Sequence, residues 1–145
     1  MDRLAPTSAL LLAVTLAGAF DAAACSGGRQ GQATGNLVRV DLSEWSIRAK
    51  PATVPAGNVS FAVKNRGRAT HELVILKTDA PPAALPAPEG FVDENAAGET
   101  AGTLYDLRRG RGQTRTFSLE PGRYALICNL VGHYQLGMRA ALEAR

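Results

Sequence analysis

The sequence is poor in the side chains that do most of biological chemistry. Its 145 residues hold two His, two Cys, two Met and one Trp. So few cysteines exclude a disulfide-stapled scaffold, and the chain must rely on an ordinary apolar core. Helix-favouring runs are scarce; short apolar stretches bounded by Gly, Pro and Asn take their place, the pattern of an all-β domain. The formal net charge is only +3, carried mostly by Arg and interleaved with acids. The one tight basic cluster is Arg108, Arg109 and Arg111. Without an aromatic-basic stripe there is no nucleic-acid partner to expect, and the charge reads as a solvated surface with a mild positive excess.

The N-terminus reads as an address. Residues 9–20 are apolar or small, with Thr15 the only hydroxyl. That run suits the hydrophobic region of a secretory signal and is too short to span a bilayer as a mature helix. Ala22, Ala23 and Ala24 offer small residues for cleavage, and Cys25 follows directly. Two processing routes fit: lipidation of Cys25, or plain cleavage after Ala24. Ala22 and Asp21 depart from the lipoprotein pattern, whereas the Gly/Gln/Ala-rich stretch to Gly35 suits a flexible tether. Either route exports the domain to the periplasm or cell-envelope surface. The expected organisation is a signal over 1–24, a linker over 25–36 and one domain over 37–145.

Within that domain a period of two sets in. Strands are expected over 37–42, 45–50, 59–64, 70–77, 113–119, 123–128 and 138–143, with turns at Pro55-Ala56-Gly57, Asn65-Arg66-Gly67-Arg68 and Pro121-Gly122. Val59, Phe61 and Val63 share one face, as do His71, Leu73 and Ile75. The stretch 79–112 breaks the rhythm with four prolines and an acidic run; it is expected as a long connection with a short helical turn near residues 94–97. Connections of that length signal function or mobility. Seven to eight short strands make a sandwich of two sheets.

The stretch richest in chemistry is Cys128-Asn129-Leu130-Val131-Gly132-His133-Tyr134-Gln135-Leu136-Gly137-Met138, or C-x4-H-x4-M, between the last two strands. His71 lies upstream, at the start of another strand. Both histidines are used, and so are the only Cys beyond Cys25 and the only Met beyond the initiator. Two His and one Cys with a long, weak axial Met suit copper, because thiolate and thioether favour the monovalent ion while imidazole suits both oxidation states. Four protein donors leave no open position for a substrate, unlike a catalytic metal site. The pattern points to one copper ion and to single-electron carriage, not to an enzyme. Storage or delivery of copper is the alternative, although that role usually exposes several Met or His. A multicopper oxidase would need many more histidines, and a binuclear electron-entry site a second Cys near Cys128.

The chain resembles the cupredoxins, the plastocyanin- and azurin-like blue-copper family. The resemblance runs from about Leu37 to the C-terminus and is strongest in N-x-G-x-x-x-H-E-L-V-I-L over 65–76 and P-G-x-Y-x-x-x-C-x4-H-x4-M over 121–138. It implies a Greek-key sandwich with the metal near one end, His71 and His133 as nitrogen ligands, Cys128 as thiolate and Met138 as axial sulfur. Two departures stand out: Glu72, where many plastocyanin-like members carry Asn, and the long 79–112 segment.

Other residues take simpler roles. Tyr124 is expected in the core with its hydroxyl tied to backbone. Trp45 is expected in the core or partly buried on a sheet; Glu72 either orients the backbone beside His71 or, the favoured reading, is a solvated strand residue. Leu130, Val131, Tyr134 and Leu136 surround His133, either packing the loop or presenting an apolar docking face to redox donors and acceptors. The domain is expected to act as a monomer, with a membrane tether only if Cys25 is lipidated.

Overall fold

A computed structural model describes Met1 and residues 36–145. The signal, Cys25 and its linker lie outside the described residues. Among the described residues, no helix is long and apolar enough to cross a membrane.

Among the described residues, nine strands and two four-residue helices form a sandwich. Their order is β1 (Leu37–Ser43), β2 (Ser46–Lys50), β3 (Thr53–Val54), β4 (Gly57–Asn65), β5 (His71–Lys77), α1 (Glu94–Ala97), β6 (Glu99–Leu107), β7 (Gly112–Leu119), β8 (Gly122–Ile127), α2 (His133–Leu136) and β9 (Arg139–Ala144). One sheet runs β2-β1-β4-β7, the other β3-β9-β8-β5-β6. Both are mixed: β1 pairs parallel with β4, and β3 parallel with β9. The chain changes sheets at every connection except β1–β2, β5–β6 and β8–β9.

The period of two in the sequence is what builds the interior. Val38, Val40 and Leu42 of β1 and Val59, Phe61 and Val63 of β4 point inward from one sheet. They meet Leu73 and Ile75 of β5, Leu104 and Leu107 of β6, Leu126 of β8 and Leu142 of β9 from the other. A fully buried side chain of this size contributes about 1.5–3 kcal/mol relative to exposure, so the inter-sheet layer supplies most of the stabilisation. Tyr124 sits in this core and its hydroxyl donates to the Glu120 carbonyl (2.8 Å), as expected.

The 79–112 segment differs from the sequence expectation. Its second half is a strand, β6, which pairs along β5 at the sheet edge. Two features hide its periodicity. The β5/β6 register shifts twice, and Gly102 stands where the Phe117 ring packs, with no room for a Cβ (a Cβ there would lie 2.3 Å from the ring). The first half, from Thr78 to Gly98, is a cover. Leu85, Val92 and Ala97 close over Val74, Leu76, Ala125 and Ile127 on the outer face of the second sheet, with Tyr134 in the same cluster. Strands β5 and β8 are therefore buried on both faces, which is why they read as continuous apolar runs instead of alternating. The short helix falls where it was expected, capped by Asp93, whose side chain accepts from the amides of Asn95 and Ala96.

Candidate metal centre

His71 opens β5 at a point fixed by the turn before it. Asn65, buried at the end of β4, donates through Nδ2 to the carbonyls of Ala69 and Leu107, and its Oδ1 accepts from the Gly67 amide. That one side chain satisfies three backbone groups and ties the turn to the end of β6. His71 emerges fully buried. Cys128 follows the last residue of β8, also fully buried. The loop then folds into α2, which begins at Gly132 with a positive φ of 82°. The His133 carbonyl accepts the Met138 amide and the Met138 carbonyl accepts the Cys128 amide, both at 3.1 Å, which closes the loop on itself.

Three donor atoms converge at this end of the sandwich. His71 Nδ1 lies 3.3 Å from His133 Nδ1 and 3.9 Å from Cys128 Sγ, and Cys128 Sγ lies 3.3 Å from His133 Nδ1. Donors about 2.1 Å from a common ion in a trigonal plane stand about 3.6 Å apart, so the observed triangle is the size one metal ion requires. Among the described residues this is the group of metal-ligating side chains that the structure brings together. Met138 is fully buried in the same apolar cluster as Cys128.

The electrostatics favour a metal over protons. Burial pushes His71 below its usual pKa of 6.5, opposed by the nearby Glu44 carboxylate. Burial also lowers His133, and the like charge of His71 adds to the effect. Both rings therefore stay neutral, with lone pairs free, at ordinary pH. Burial raises the Cys128 thiol, opposed by amides of Glu72 and Leu130 directed at the sulfur. The Glu72 amide lies 3.4 Å from Sγ. In the absence of a cation the thiol keeps its proton; a bound metal would remove it.

Several surrounding residues have roles that the sequence did not disclose. Glu72 is half-buried, not a solvated strand residue: its Oε1 accepts the Asn129 amide (3.1 Å), so the residue after His71 is linked to the residue after Cys128. Its carboxyl is raised above the usual range by burial, opposed by that amide. Asn129 also reaches the cover, donating to the Val92 carbonyl and Glu94 and accepting from the Val92 amide. Trp45 sits in the β1–β2 turn, 40% exposed, with its ring edge-on to His133 (centroids 4.8 Å apart) and to His71 (6.5 Å). It borders the site and is not a core residue. Glu44 beside it is held well below its usual value, at about 2, chiefly by the amide of Ala69.

The residues around His133 divide. Tyr134 is buried and its hydroxyl accepts the Leu85 amide (2.9 Å), packing the loop onto the cover. Val131 and Leu136 face solvent, 74% and 55% exposed. His133 itself is half-buried, with the Trp45 ring edge-on to it.

Comparison with known proteins supports the fold. No protein-family model matches the chain, and a search of curated proteins found no match. Solved structures do match. The dithionite-reduced auracyanin of Roseiflexus castenholzii superposes with a TM-score of 0.58 at 24% identity, covering 76% of this chain and 97% of that one. Auracyanin A of Chloroflexus aurantiacus, described as a "blue" copper protein, gives 0.53 at 20% identity over 75% and 98%. Rusticyanin of Thiobacillus ferrooxidans gives 0.55 at 17% identity over 77% and 79%. The chain has the cupredoxin fold.

Proposed function

We propose that this protein holds one copper ion through His71 Nδ1, Cys128 Sγ and His133 Nδ1, with Met138 as axial sulfur, and carries single electrons between redox proteins. The observation that carries the proposal is the triangle of two imidazole nitrogens and one thiol sulfur, 3.3–3.9 Å on a side, at the end of a rigid sandwich. Copper bound there supplies a one-electron couple.

The chain's own residues supply the rest. The strand end at His71, the Glu72–Asn129 hydrogen bond and the closed 128–138 loop tie down the segments that carry the donors before any ion arrives. A site that need not rearrange between oxidation states passes electrons quickly. The full burial of Cys128 and His71 keeps water from these donors, and the four protein donors leave no position for a substrate. His133 is the one nitrogen donor with an edge toward solvent; Val131 and Leu136 form an apolar rim beside it, suited to a transient protein partner. Export is supported by the apolar run over 9–20 and the small residues before Cys25, where a lipid would tether the domain to a membrane.

The test is the visible spectrum of the mature domain loaded with divalent copper. An intense thiolate-to-copper charge-transfer band is expected, and Cys128→Ser should abolish it. A colourless wild-type protein, or a variant that stays blue, refutes the ligand set. Repeated one-electron cycling without loss of copper supports a carrier; release of copper at each reduction supports storage or delivery instead.

A further inference from the structure

The Nε2 atom of His71 is, among the described residues, the buried side-chain polar atom that finds no hydrogen-bond partner. Its Nδ1 faces Cys128 and His133. A metal taken up at Nδ1 obliges the ring proton to sit on Nε2, deep in the protein, where an unmet donor is unfavourable. The group set against that nitrogen is the Glu44 carboxylate, whose Oε1 lies 3.4 Å away. That is longer than an ideal hydrogen bond and short enough for a charge to act on the ring.

The carboxylate is not there by chance of a surface rotamer. Its Oε1 accepts the amides of both Arg68 and Ala69 at 2.7 Å, so the turn that leads into His71 grips it. Gly67 makes the approach feasible: a Cβ at that position would lie 2.5 Å from Glu44 Oε1. This gives the Asn-x-Gly element before His71 a physical purpose. Asn65 closes the turn, and Gly67 leaves the space that the carboxylate fills.

We infer that Glu44 is a positioning residue for the metal centre: its carboxylate holds the His71 proton on Nε2, keeps Nδ1 free for the metal, and places a negative charge one ring away from the ion. The inference rests on the copper reading above. A ligating imidazole whose second nitrogen donates to a carboxylate is fixed in tautomer and orientation and made more basic, and loss of such a partner typically weakens metal affinity 10–100-fold. The negative charge stabilises the divalent more than the monovalent ion.

Two readouts test it, one without copper. In the metal-free protein, long-range 1H–15N spectra should show His71 as the Nε2–H tautomer. Glu44→Leu should shift that population toward Nδ1–H, and Gly67→Ala should do the same by displacing a carboxylate that is still present. In the copper-loaded protein, Glu44→Gln keeps the shape and an acceptor oxygen but removes the charge. It should weaken divalent-copper affinity about tenfold relative to monovalent, which for a one-electron couple raises the potential by about 59 mV. A wild-type His71 tautomer in Glu44→Leu overturns the inference, and so does a wild-type potential in folded Glu44→Gln. If the wild-type chain shows no thiolate-to-copper band, the copper reading fails by itself, and the tautomer measurement then decides the role of Glu44 alone.

Discussion

His71 and His133 are the same residue type with facing nitrogens 3.3 Å apart, yet the molecule treats them in opposite ways. His71 starts a strand buried on both faces, is closed off from water, and is backed by a carboxylate that a hydrogen-bonded turn grips. His133 begins a four-residue helix in a loop, is half-buried, and has the Trp45 ring edge-on beside it, while Val131 and Leu136 of the same loop are exposed. The contrast teaches a division of labour. One histidine belongs to the scaffold and holds the site in register. The other lies in a loop and is only half-buried.

Ligand deletion should break the symmetry most strongly. His133→Gly opens the site to solvent, so added imidazole should enter and restore the charge-transfer band. His71→Gly leaves a hole beneath Trp45 and the β4–β5 turn, and imidazole should restore little or nothing. Copper affinity should fall in both by more than the ~10–100-fold expected for losing an outer partner. Equal rescue of the two variants, read by titration at visible wavelengths, would erase the distinction.

The axial position comes next. If Met138 is the proposed axial donor, Met138→Leu would remove a weak ligand but keep the buried volume, so copper should stay bound while the potential moves upward, since a weaker axial donor favours the monovalent ion. Voltammetry and copper content decide this; copper loss comparable with His71→Gly would make Met138 a holding ligand.

A smaller effect concerns pH in the metal-free protein. Both histidines have pKa values lowered by burial from 6.5, so the unfolded chain binds protons that the folded one refuses. Stability should be level above about pH 6.5 and fall as pH drops below it, until the folded rings protonate as well. Glu44, lowered from 4.5 to about 2, adds a second fall between those values, because its contribution is present above 4.5 and lost as pH drops toward 2. Copper should blunt the first fall, since the ion competes with the protons. Thermal unfolding midpoints from pH 8 to about pH 2, with and without copper, measure both windows.

The smallest effect on the two histidines should come from the cover. Leu85 is almost fully buried there, and Leu85→Ala should lower stability by about 2–5 kcal/mol while leaving the position of the charge-transfer band unchanged. A shifted band would mean that the cover tunes the site, through Tyr134 and Asn129, as well as roofing the sheet.

Much of this was legible beforehand because it rests on local pattern. Alternation marked β1, β4 and β7, and Pro or Gly marked their turns. The metal site could be read because C-x4-H-x4-M exhausts the scarce donors of the domain, leaving His71 as the one remaining nitrogen. The 79–112 segment resisted because its strand is interrupted by Gly102 and by register shifts. Its cover is explained by the second apolar faces of β5 and β8, which carry Val74, Leu76, Ala125 and Ile127 and so require something to bury them. The favoured reading of Glu72 as solvated and the placing of Trp45 in the core or on a sheet missed for a related reason: neither pattern nor spacing says what lies across a sheet or beside a turn.

By itself, then, the sequence determined the all-β sandwich and pointed to His71, Cys128 and His133, which the structure brings together, since both follow from periodicity, turn chemistry and an inventory of side chains. Only the tertiary structure decided the triangle of donors 3.3–3.9 Å on a side, the burial that separates His71 from His133, and the approach of Glu44 to His71 through the space at Gly67. Glu44 and His71 are 27 positions apart, on the β1–β2 turn and the start of β5, and each is locally unremarked. Packing the two sheets brings those chain segments to the same end of the sandwich. The distances that set metal affinity and proton position exist only once that packing has formed.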